Sequence, residues 1–448
     1  MEIKGKQISI LGAERSGVGA ARLVKRLGGI PFVSDHAKED KISESLKQLA
    51  EEGIEYECGA HSNRVFDTEF IIVSPGVPSN SSVMVQAYNR GITVISEIEF
   101  AFYYCKGKVI ATTGTNGKTT VTSLIAYLIN GTGRKCYTAG NIGYAFSEIA
   151  DLVKEDEYVS LEVSSFQLDH CFSFKPAAAL ILNITPDHLN RYENCFENYI
   201  SSKRRIYRAL DEKDYLILNG DDANLSPDKV NTRAIVKYFS LTKNSEAYFE
   251  DGFIKVGVNG GEYNAFNAGD LQIRGEHNYA NTMAALLAVT SVGVPFNEAA
   301  SHLSTFAPVE HRLELVAEID GVKYINDSKA TNVDSVWYAL RSFEEPLYLI
   351  LGGQDKGNDY GQIRGLVLEK VKKIFAIGSS AEKIFNYFHH DVKVEIKNSM
   401  EECVKAANLE AKSGDVVLLS PACASFDMFD NYEHRGRVFK TAVEDLFA

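Results

Sequence analysis

Short apolar runs alternate with amphipathic stretches along the chain, and this pattern predicts strands that alternate with helices. In the first hundred residues it predicts strands at 7–11, 30–34 and 69–73 and a helix at 17–27. Strands that alternate with helices form a parallel sheet, and ligands bind such a sheet beyond the carboxyl ends of its strands. The turns that follow the first and the last of these strands are therefore candidate ligand sites.

The alternation continues to the end of the chain, with one interruption. Residues 238–273 contain turn residues and short alternating stretches that predict small antiparallel strands. A length of 448 residues corresponds to about three domains of ~150 residues. We predict an α/β protein with a Rossmann-like domain at 1–104, a central domain at 105–308 and a Rossmann-like domain at 309–448. Further strands are predicted at 158–163, 177–184, 347–351, 373–377 and 416–420.

A glycine-rich turn follows the apolar run at 109–111 and leads into a helix that begins near Thr119. The backbone N–H groups of such a turn bind phosphate, Lys118 adds a positive charge, and the Thr119 hydroxyl suits Mg²⁺. The usual motif has a glycine five residues before Gly117, where this chain has Thr112, so the loop is a variant. A solvated turn is the alternative. We predict ATP binding and a P-loop-type central domain with a mostly parallel sheet. The predicted ATP-binding loop residues are Gly114, Thr115, Asn116, Gly117, Lys118, Thr119 and Thr120.

The turn after the first strand partly matches a dinucleotide-binding fingerprint. Glu14 stands where its second glycine would be, which argues against a nicotinamide cofactor. Asp35 lies 23 residues after Gly12, at the place of the acidic residue that contacts a ribose hydroxyl. An ordinary strand–helix turn with a capping carboxylate is the alternative. We predict a nucleotide contact here.

Composition and charge exclude several classes of function. The net charge is −13, from 47 basic and 60 acidic residues, and without a basic stripe we expect no nucleic-acid partner. The apolar runs are shorter than the ~18 residues that a membrane span needs. The seven cysteines are scattered without a Cys-x-x-Cys pair, so neither a disulfide framework nor a zinc site is predicted. With no signal-peptide pattern at the N-terminus, we expect a cytoplasmic protein with no membrane partner.

Polar and charged side chains follow the predicted strands of the central domain. Glu162 ends one strand, where a carboxylate could complete Mg²⁺ coordination beside Thr119 or simply cap the next helix. His188, next to Asp187, follows another strand, and it suits metal or acid–base chemistry better than a purely structural role. Lys203 lies on a helix that could fold back towards His188. The third domain shows the same arrangement, because polar runs follow its strands at 326–332, 352–356 and 420–425.

These motifs resemble the Mur ligase family, and the resemblance covers essentially the whole chain. The motifs are Gly-Thr-Asn-Gly-Lys-Thr-Thr at 114–120, Glu-Val-Ser-Ser-Phe-Gln-Leu at 162–168, Asn-Ile-Thr-Pro-Asp-His-Leu at 183–189, His-Asn-Tyr-Ala-Asn at 277–281, His-Arg at 311–312, Asn-Asp-Ser-Lys-Ala-Thr-Asn at 326–332 and Ser-Pro-Ala-Cys-Ala-Ser at 420–425. The resemblance implies ATP-driven amide formation through an acyl phosphate. The runs at 326–332 and 420–425 favour the members that add D-glutamate to UDP-N-acetylmuramoyl-L-alanine, and the Asp-Asn-Pro-Arg run of the diamino-acid ligases is absent.

The resemblance also implies two Mg²⁺ ions and a modified lysine. Thr119 and Glu162 would hold one ion, and His188 and Lys203 the second, with Lys118, His188 and Lys203 as the catalytic residues. The Lys203 amine would be carbamylated, which supplies an anionic oxygen ligand. Because the neutral amine forms the carbamate, the site must lower the pKa of Lys203 from its usual ~10.4.

The remaining roles come from the same resemblance. The predicted adenine, ribose and phosphate contacts are Asn278, Asn281, Arg312 and Asp327. The predicted contacts to the UDP-substrate are Arg15, Ser16, Asp35, His36, Ser74, Pro75, Gly76 and Asn141. The predicted D-glutamate contacts are Lys329, Thr331, Lys356, Ser425, Phe426 and Tyr432. Two cations in this last set suit a dicarboxylate. Arg15, Gln354 and Tyr432 depart from the family's pattern. We expect a monomer.

Three other functions remain open at this point. Sister ligases and folylpolyglutamate synthase share the ATPase core and differ mainly in the third domain. A nucleotide switch would hydrolyse ATP without an amino acid. A dehydrogenase would bind nicotinamide through the first domain.

Overall fold

The computed structural model describes residues 1–242, 245–258, 262–273, 275–307, 309–355 and 357–447. The chain folds into two compact units. The first comprises residues 1–271 and 279–305, and the second comprises 272–278 and 306–448. The first unit contains two sheets and the second contains one. The exact boundaries at 104/105 and 308/309 stay predictions.

The first sheet is parallel and has the strand order β3-β2-β1-β4-β5. Its central strand β1 covers the predicted residues, whereas helix α1 begins two residues earlier than the pattern indicated. Apolar residues of α1 are buried against the sheet. The elements are β1 (Gln7–Leu11), α1 (Arg15–Arg26), β2 (Ile30–Asp35), α2 (Glu39–Glu51), β3 (Glu55–Cys58), β4 (Ile71–Val73), α3 (Ser82–Asn89), β5 (Val94–Ser96) and α4 (Glu97–Phe102).

The second sheet is parallel except at one edge. Its order is β14-β13-β12-β11-β10-β9-β6-β8-β7, and only the β12–β13 and β13–β14 pairs are antiparallel. This confirms the small antiparallel strands that the sequence predicts. The elements are β6 (Lys108–Thr113), α5 (Lys118–Gly131), β7 (Cys136–Gly140), α6 (Phe146–Ile149), β8 (Tyr158–Glu162), α7 (Ser165–Leu168), β9 (Ala178–Ile181), α8 (Phe196–Arg204), β10 (Tyr215–Asn219), β11 (Ile235–Ser240), β12 (Ala247–Glu250), β13 (Phe253–Val258), β14 (Glu262–Asn267), α9 (Glu276–Ser291) and α10 (Phe296–Ala300).

The third sheet has the order β15-β16-β20-β17-β18-β19, and only the β15–β16 pair is antiparallel. Its central strands are fully buried, as expected for a sheet that is covered by helices on both faces. The elements are β15 (Glu314–Ile319), β16 (Val322–Asn326), α11 (Val333–Arg341), β17 (Leu347–Gly352), α12 (Gly361–Lys370), β18 (Val371–Ile377), α13 (Ala381–Phe388), β19 (Lys393–Ile396), α14 (Met400–Glu410), β20 (Val416–Leu419) and α15 (Tyr432–Glu444).

Strand β9 is shorter than predicted, and the segment that follows it leaves the sheet and positions the phosphate loop. The apolar pattern predicts a strand at 177–184, but the strand ends at Ile181. Beyond it, Asn183 accepts a hydrogen bond from the Thr115 N–H (2.9 Å) through its carbonyl, and the Ile184 N–H donates to the Asp222 carboxylate (2.6 Å). The backbone therefore leaves the sheet to bind the loop.

None of the helices in the described part of the chain has the length and apolarity that a membrane crossing requires.

Candidate active site

The phosphate loop connects β6 to α5 and is held by glycines and by Asn183. Gly117 is the N-cap of α5 with φ 85°, and a Cβ there would lie 2.5 Å from Asn281 Oδ1. The Asn183 side chain accepts from the Asn116 N–H (2.8 Å) and donates to the Asn116 carbonyl (3.1 Å). This two-way bond fixes the loop before any ligand binds, so that its N–H groups are preorganised for an anion.

Two lysine ammonium groups converge on one carbonyl oxygen of this loop. Lys118 Nζ donates to Gly114 O at 2.9 Å, and Lys203 Nζ donates to the same oxygen at 2.7 Å. Lys203 is 1% exposed. Burial, followed by the positive charge of Lys118, holds the pKa of Lys203 well below its usual value. The direction of this shift is the one that the carbamate prediction requires.

The predicted ligands of the first magnesium ion are in contact. Thr119 Oγ1 donates to Glu162 Oε2 at 2.8 Å, and both side chains are buried. Asn141 Nδ2 donates to the other carboxylate oxygen, Glu162 Oε1, at 2.8 Å. Two adjacent oxygen donors at the end of a phosphate loop fit Mg²⁺, which prefers oxygen ligands and keeps several waters.

His188 follows the extended segment after β9 and has φ 53°, in the left-handed region. Its ring contacts Phe166 with the centroids 5.3 Å apart, and its Nε2 lies 3.6 Å from the Asp187 carboxylate. Left-handed non-glycine residues are uncommon, and histidine is among the residue types that adopt this conformation most readily. His311 and Ala422, in two other predicted motifs, share this conformation. The pairing of His188 with Lys203 on a second metal ion stays a prediction.

Three of the predicted nucleotide contacts are buried polar residues, and Arg312 is half-buried. Asn281 packs against Gly117 of the phosphate loop, and Asn278 is 9% exposed. In the second unit, the Asp327 carboxylate accepts from Ser420 Oγ (2.8 Å) and from the Leu313 N–H (3.3 Å). Burial raises the pKa of Asp327 to about 7. The Arg312 charge acts on this carboxylate, which brings these two predicted residues into one electrostatic environment.

The predicted D-glutamate contacts occupy two neighbouring loops of the second unit. Lys329 Nζ lies 5.0 Å from the centroid of the Tyr432 ring, at the start of α15. Ser425 is buried, Thr331 is half-buried, and Phe426 is 69% exposed. Lys356 lies outside the described residues.

A buried arginine, which the sequence pattern does not reveal, joins these two loops. Arg435 is 1% exposed and donates to the carbonyl oxygens of Ser328 (2.8 Å) and Cys423 (3.0 Å) and to Ser328 Oγ (3.0 Å). Tyr199, whose hydroxyl lies 3.3 Å from Thr115 Oγ1, is not revealed by the pattern either. Both belong to helices, where a polar residue in an amphipathic pattern gives no signal of burial.

The predicted contacts to the UDP-substrate lie at the carboxyl ends of β1, β2 and β4, and Asn141 follows β7. Asp35 accepts from the Ala13 N–H (2.6 Å) and the Ala37 N–H (2.7 Å), one with each carboxylate oxygen. These bonds tie the turns before α1 and α2 to the end of β2 without capping either helix, and each oxygen keeps acceptor capacity. Arg15 donates to the backbone carbonyls of Gly140, the last residue of β7, and of Gly143. Ser16 and His36 lie on the same edge of the sheet, as does the turn at 74–76.

Comparison with protein families gives a consistent result over the whole chain. Residues 6–96 match the Mur ligase MurD-like N-terminal domain, residues 112–289 the Mur ligase middle domain, and residues 311–423 the Mur ligase glutamate ligase domain. The UDP-N-acetylmuramoylalanine–D-glutamate ligase of Cytophaga hutchinsonii is 44% identical over 451 residues, covering 98% of this chain and 99% of the relative. The enzyme of that name from Chloroherpeton thalassium is 41% identical over 464 residues, covering 99% of each chain.

Solved structures share the fold at low sequence identity. The UDP-N-acetylmuramate-alanine ligase MurC of Thermotoga maritima has a TM-score of 0.63 at 19% identity and covers 98% of this chain and 100% of its own. A pseudomurein peptide ligase type C from Methanothermus fervidus has the same TM-score at 18% identity, with 99% and 100% covered. These matches confirm the predicted three-part α/β fold class.

Proposed function

We infer that this chain, which belongs to the Mur ligase family, joins D-glutamate to UDP-N-acetylmuramoyl-L-alanine with ATP in the synthesis of peptidoglycan. The observation that carries this is the full-length similarity, at 40–44% identity, to ligases of that name. The fold alone does not choose among amino acids, because ligases for L-alanine and for other acceptors share it. We place the reaction in the cytoplasm, where ATP is available.

The chemistry begins with the activation of a carboxylate. The L-alanyl carboxylate attacks the γ-phosphorus of ATP, the bond to the β,γ-bridging oxygen breaks, and an acyl phosphate and ADP form. The D-glutamate amine then attacks the acyl carbon, loses a proton, and inorganic phosphate leaves. Lys118 and the N–H groups of the phosphate loop would stabilise the charge on the transferred phosphoryl group.

Magnesium ions would screen the two anions that must meet, the substrate carboxylate and the ATP phosphates. Thr119 and Glu162 would hold one ion, and His188 and carbamylated Lys203 would hold the other. The adjacent buried oxygens of Thr119 and Glu162 support the first assignment. The buried, low-pKa amine of Lys203 supports the second, because only a neutral amine reacts with carbon dioxide.

A test of the carbamate separates metal ligation from other roles of Lys203. The Lys203→Ala variant should lose ligase activity, and added acetate or formate should partly restore it by supplying a carboxylate in the vacated space. Lys237→Ala is the matched control, because Lys237 also has a burial-lowered pKa but lies on β11 away from the loop. Full activity of Lys203→Ala would remove this residue from the mechanism.

The acceptor would bind in the second unit. Lys329 and Lys356 would pair with the two carboxylates of D-glutamate, and Thr331, Ser425, Phe426 and Tyr432 would complete its surroundings. The UDP-substrate would bind at the carboxyl edge of the first sheet and at Asn141. Asn278, Asn281, Arg312 and Asp327 would contact the nucleoside and phosphates of ATP.

The deciding experiment measures phosphate release from ATP with Mg²⁺ and UDP-N-acetylmuramoyl-L-alanine. D-glutamate, L-glutamate, L-alanine, L-lysine and meso-diaminopimelate are offered separately. Release that depends on D-glutamate supports the proposal. Release with another amino acid would leave a ligase with a different acceptor, and release without any amino acid would favour an ATP switch.

A further inference from the structure

The turn after β7 presses against the strand that carries Glu162. Gly140 has φ 98°, and a Cβ there would lie 2.2 Å from the Glu162 carbonyl oxygen. Gly143 has φ 63°, and a Cβ there would lie 2.6 Å from the Thr138 carbonyl oxygen. Between these glycines, the Asn141 N–H donates to the Glu162 carbonyl at 2.9 Å. The turn therefore has little freedom to shift unless the end of β8 shifts with it.

The side chain of Asn141 transmits the position of this turn to the carboxylate. Asn141 Nδ2 donates to Glu162 Oε1, while Thr119 donates to Glu162 Oε2, each at 2.8 Å. The carboxylate is thus held from both sides, by the phosphate-loop helix and by the turn. A rotation of the turn would withdraw one donor and let the carboxylate rotate.

Arg15 holds the same turn from the first sheet. It is the first residue of α1, and its guanidinium donates to Gly140 O at 3.0 Å and to Gly143 O at 3.1 Å. These two carbonyls flank Asn141 on either side. A planar fork with donors at fixed spacing can bind both at once, which a single ammonium group cannot do in the same geometry.

A buried acid lies beside this arginine. Glu97, the first residue of α4, is 2% exposed, and its Oε1 accepts from the Ser147 N–H at 2.6 Å. Its Oε2 is buried with no hydrogen-bond partner among the described residues. Burial raises the pKa of Glu97, and the Arg15 charge opposes that shift. The two groups therefore lie within electrostatic range of each other.

From these contacts we propose that Arg15 is a positioning residue for Glu162, acting through the turn at 140–143 and through Asn141. The inference rests on the proposed function, which makes Glu162 a ligand of Mg²⁺. It assigns Arg15 to the assembly of the metal site, in addition to its place at the edge where the UDP-substrate would bind. An element of the first sheet therefore contributes to a site built on the second.

The test measures Mg²⁺-dependent nucleotide binding, without the UDP-substrate and without turnover. Calorimetry gives the affinity for ADP with Mg²⁺ and with EDTA for the wild type, Arg15→Leu, Arg15→Lys, Asn141→Ala and the double variant Arg15→Leu/Asn141→Ala. We expect Arg15→Leu and Asn141→Ala each to weaken the Mg²⁺-dependent affinity by about 10-fold, the size typical of residues that orient a metal ligand. ADP binding in EDTA should not change.

The double variant and a matched control make the result specific. If Arg15 acts through Asn141, the double variant should be no weaker than Asn141→Ala alone. Arg26→Leu is the control, because Arg26 lies on the same helix and donates to Ser147 O (2.9 Å) and Asp151 (2.6 Å) without touching the turn. It should bind MgADP as the wild type does, and Arg15→Lys should be intermediate.

Three results of the binding measurements would overturn the inference. Arg15→Leu could bind MgADP with wild-type affinity, the two substitutions could weaken binding additively, or Arg26→Leu could be as weak as Arg15→Leu. An effect confined to the KM for UDP-N-acetylmuramoyl-L-alanine would also overturn it and make Arg15 a substrate contact. If the wild-type protein bound ADP with the same affinity in Mg²⁺ and in EDTA, this result would instead contradict the proposed function.

Discussion

Lys203 is a buried amine next to the Lys118 cation, an arrangement that function explains better than stability does. Its ammonium group and that of Lys118 share one carbonyl oxygen of the phosphate loop. Removing a buried amine whose charged form is disfavoured by burial and by a like charge should stabilise the fold, while the proposed second metal site loses a ligand. The substitution Lys203→Met keeps an apolar side chain of similar length. The Gly114 carbonyl oxygen still accepts a hydrogen bond from Lys118, so it is not left unsatisfied.

We predict that Lys203→Met is inactive and more stable than the wild type by about 0.5–2 kcal/mol at pH 7 in bicarbonate-free buffer. The folded state has the lower pKa, so between that pKa and the unfolded value of ~10.4 the unfolded chain binds the extra proton. Wild-type stability therefore rises with pH in this window, and the gain from the substitution should shrink towards pH 10. Denaturant unfolding at several pH values measures this. A variant less stable than the wild type at pH 7 would contradict the prediction.

At the residue scale, the sequence predicted partners that share a motif and missed partners that packing brings together. The Thr119–Glu162 pair followed from the phosphate loop and the strand end, and the two side chains are in contact. The sequence indicated that the helix of Lys203 could fold back towards His188, which stays a prediction, and the structure adds a hydrogen bond from Lys203 Nζ to Gly114 O. Arg435 gave no signal, because its carbonyl partners lie on two distant loops and no spacing rule joins them.

At the scale of elements, helix α5 offers a matched pair of glycines for the phosphate loop. Gly117 precedes the helix with φ 85°, and Gly133 follows it with φ 79°. A Cβ at Gly117 would meet Asn281 Oδ1 at 2.5 Å, whereas a Cβ at Gly133 would meet nothing within 4 Å. Both alanine variants should lose about 1 kcal/mol of folding stability, because alanine is strained in the left-handed backbone conformation.

We predict that Gly117→Ala also weakens ADP binding by at least ~10-fold, equivalent to about 1.4 kcal/mol, because the new methyl group displaces Asn281 and crowds the loop. Gly133→Ala should bind ADP as the wild type does. Calorimetric titration of each variant with ADP gives the affinities. Thermal unfolding gives the loss of stability that the two variants should share. Equal affinities of the two variants would show that the loop tolerates the methyl group.

Periodicity located most elements, but it could not locate their ends near the site. Strand β9 ends three residues early because Asp222 and the phosphate loop take hydrogen bonds that a strand would make. Helix α1 starts at Arg15, where the pattern gave the start as Gly17, and this difference places the guanidinium at the first turn. Such ends depend on side-chain partners from distant segments, which an apolar pattern does not contain.

At the scale of the whole molecule, buried titratable groups join the two sheets of the first unit. The Glu99 carboxylate accepts from the Phe172 N–H (3.1 Å) and the Ser173 N–H (2.8 Å). The Ser96 N–H donates to the carbonyl of His170, a residue that is 8% exposed. Burial lowers the pKa of His170 to about 4. Acid should therefore weaken this junction before the carboxylates of the surface are neutralised.

The sign of the His170 effect follows from its two pKa values. Between pH 6.5 and about 4 the unfolded chain binds a proton on this residue and the native state does not, so stability falls as the pH falls. The loss should reach about 3 kcal/mol and stop below pH 4. His170→Gln should remove this contribution and flatten the dependence of the unfolding free energy on pH in that window, as measured by urea unfolding followed by far-UV circular dichroism.

The single tryptophan provides an internal control for this prediction. Trp337 lies on α11 in the second unit, so its fluorescence follows the unfolding of that unit, whereas His170 belongs to the first. The dependence of the unfolding free energy on pH, when unfolding is followed by tryptophan fluorescence, should therefore be the same in His170→Gln and the wild type. His389→Gln changes an exposed residue, and it should leave the pH dependence of the unfolding free energy unchanged by circular dichroism and by fluorescence. If His170→Gln kept the wild-type slope by circular dichroism, then this histidine would be protonated in the native state at mildly acidic pH, and the junction would owe its acid sensitivity to its carboxylates instead.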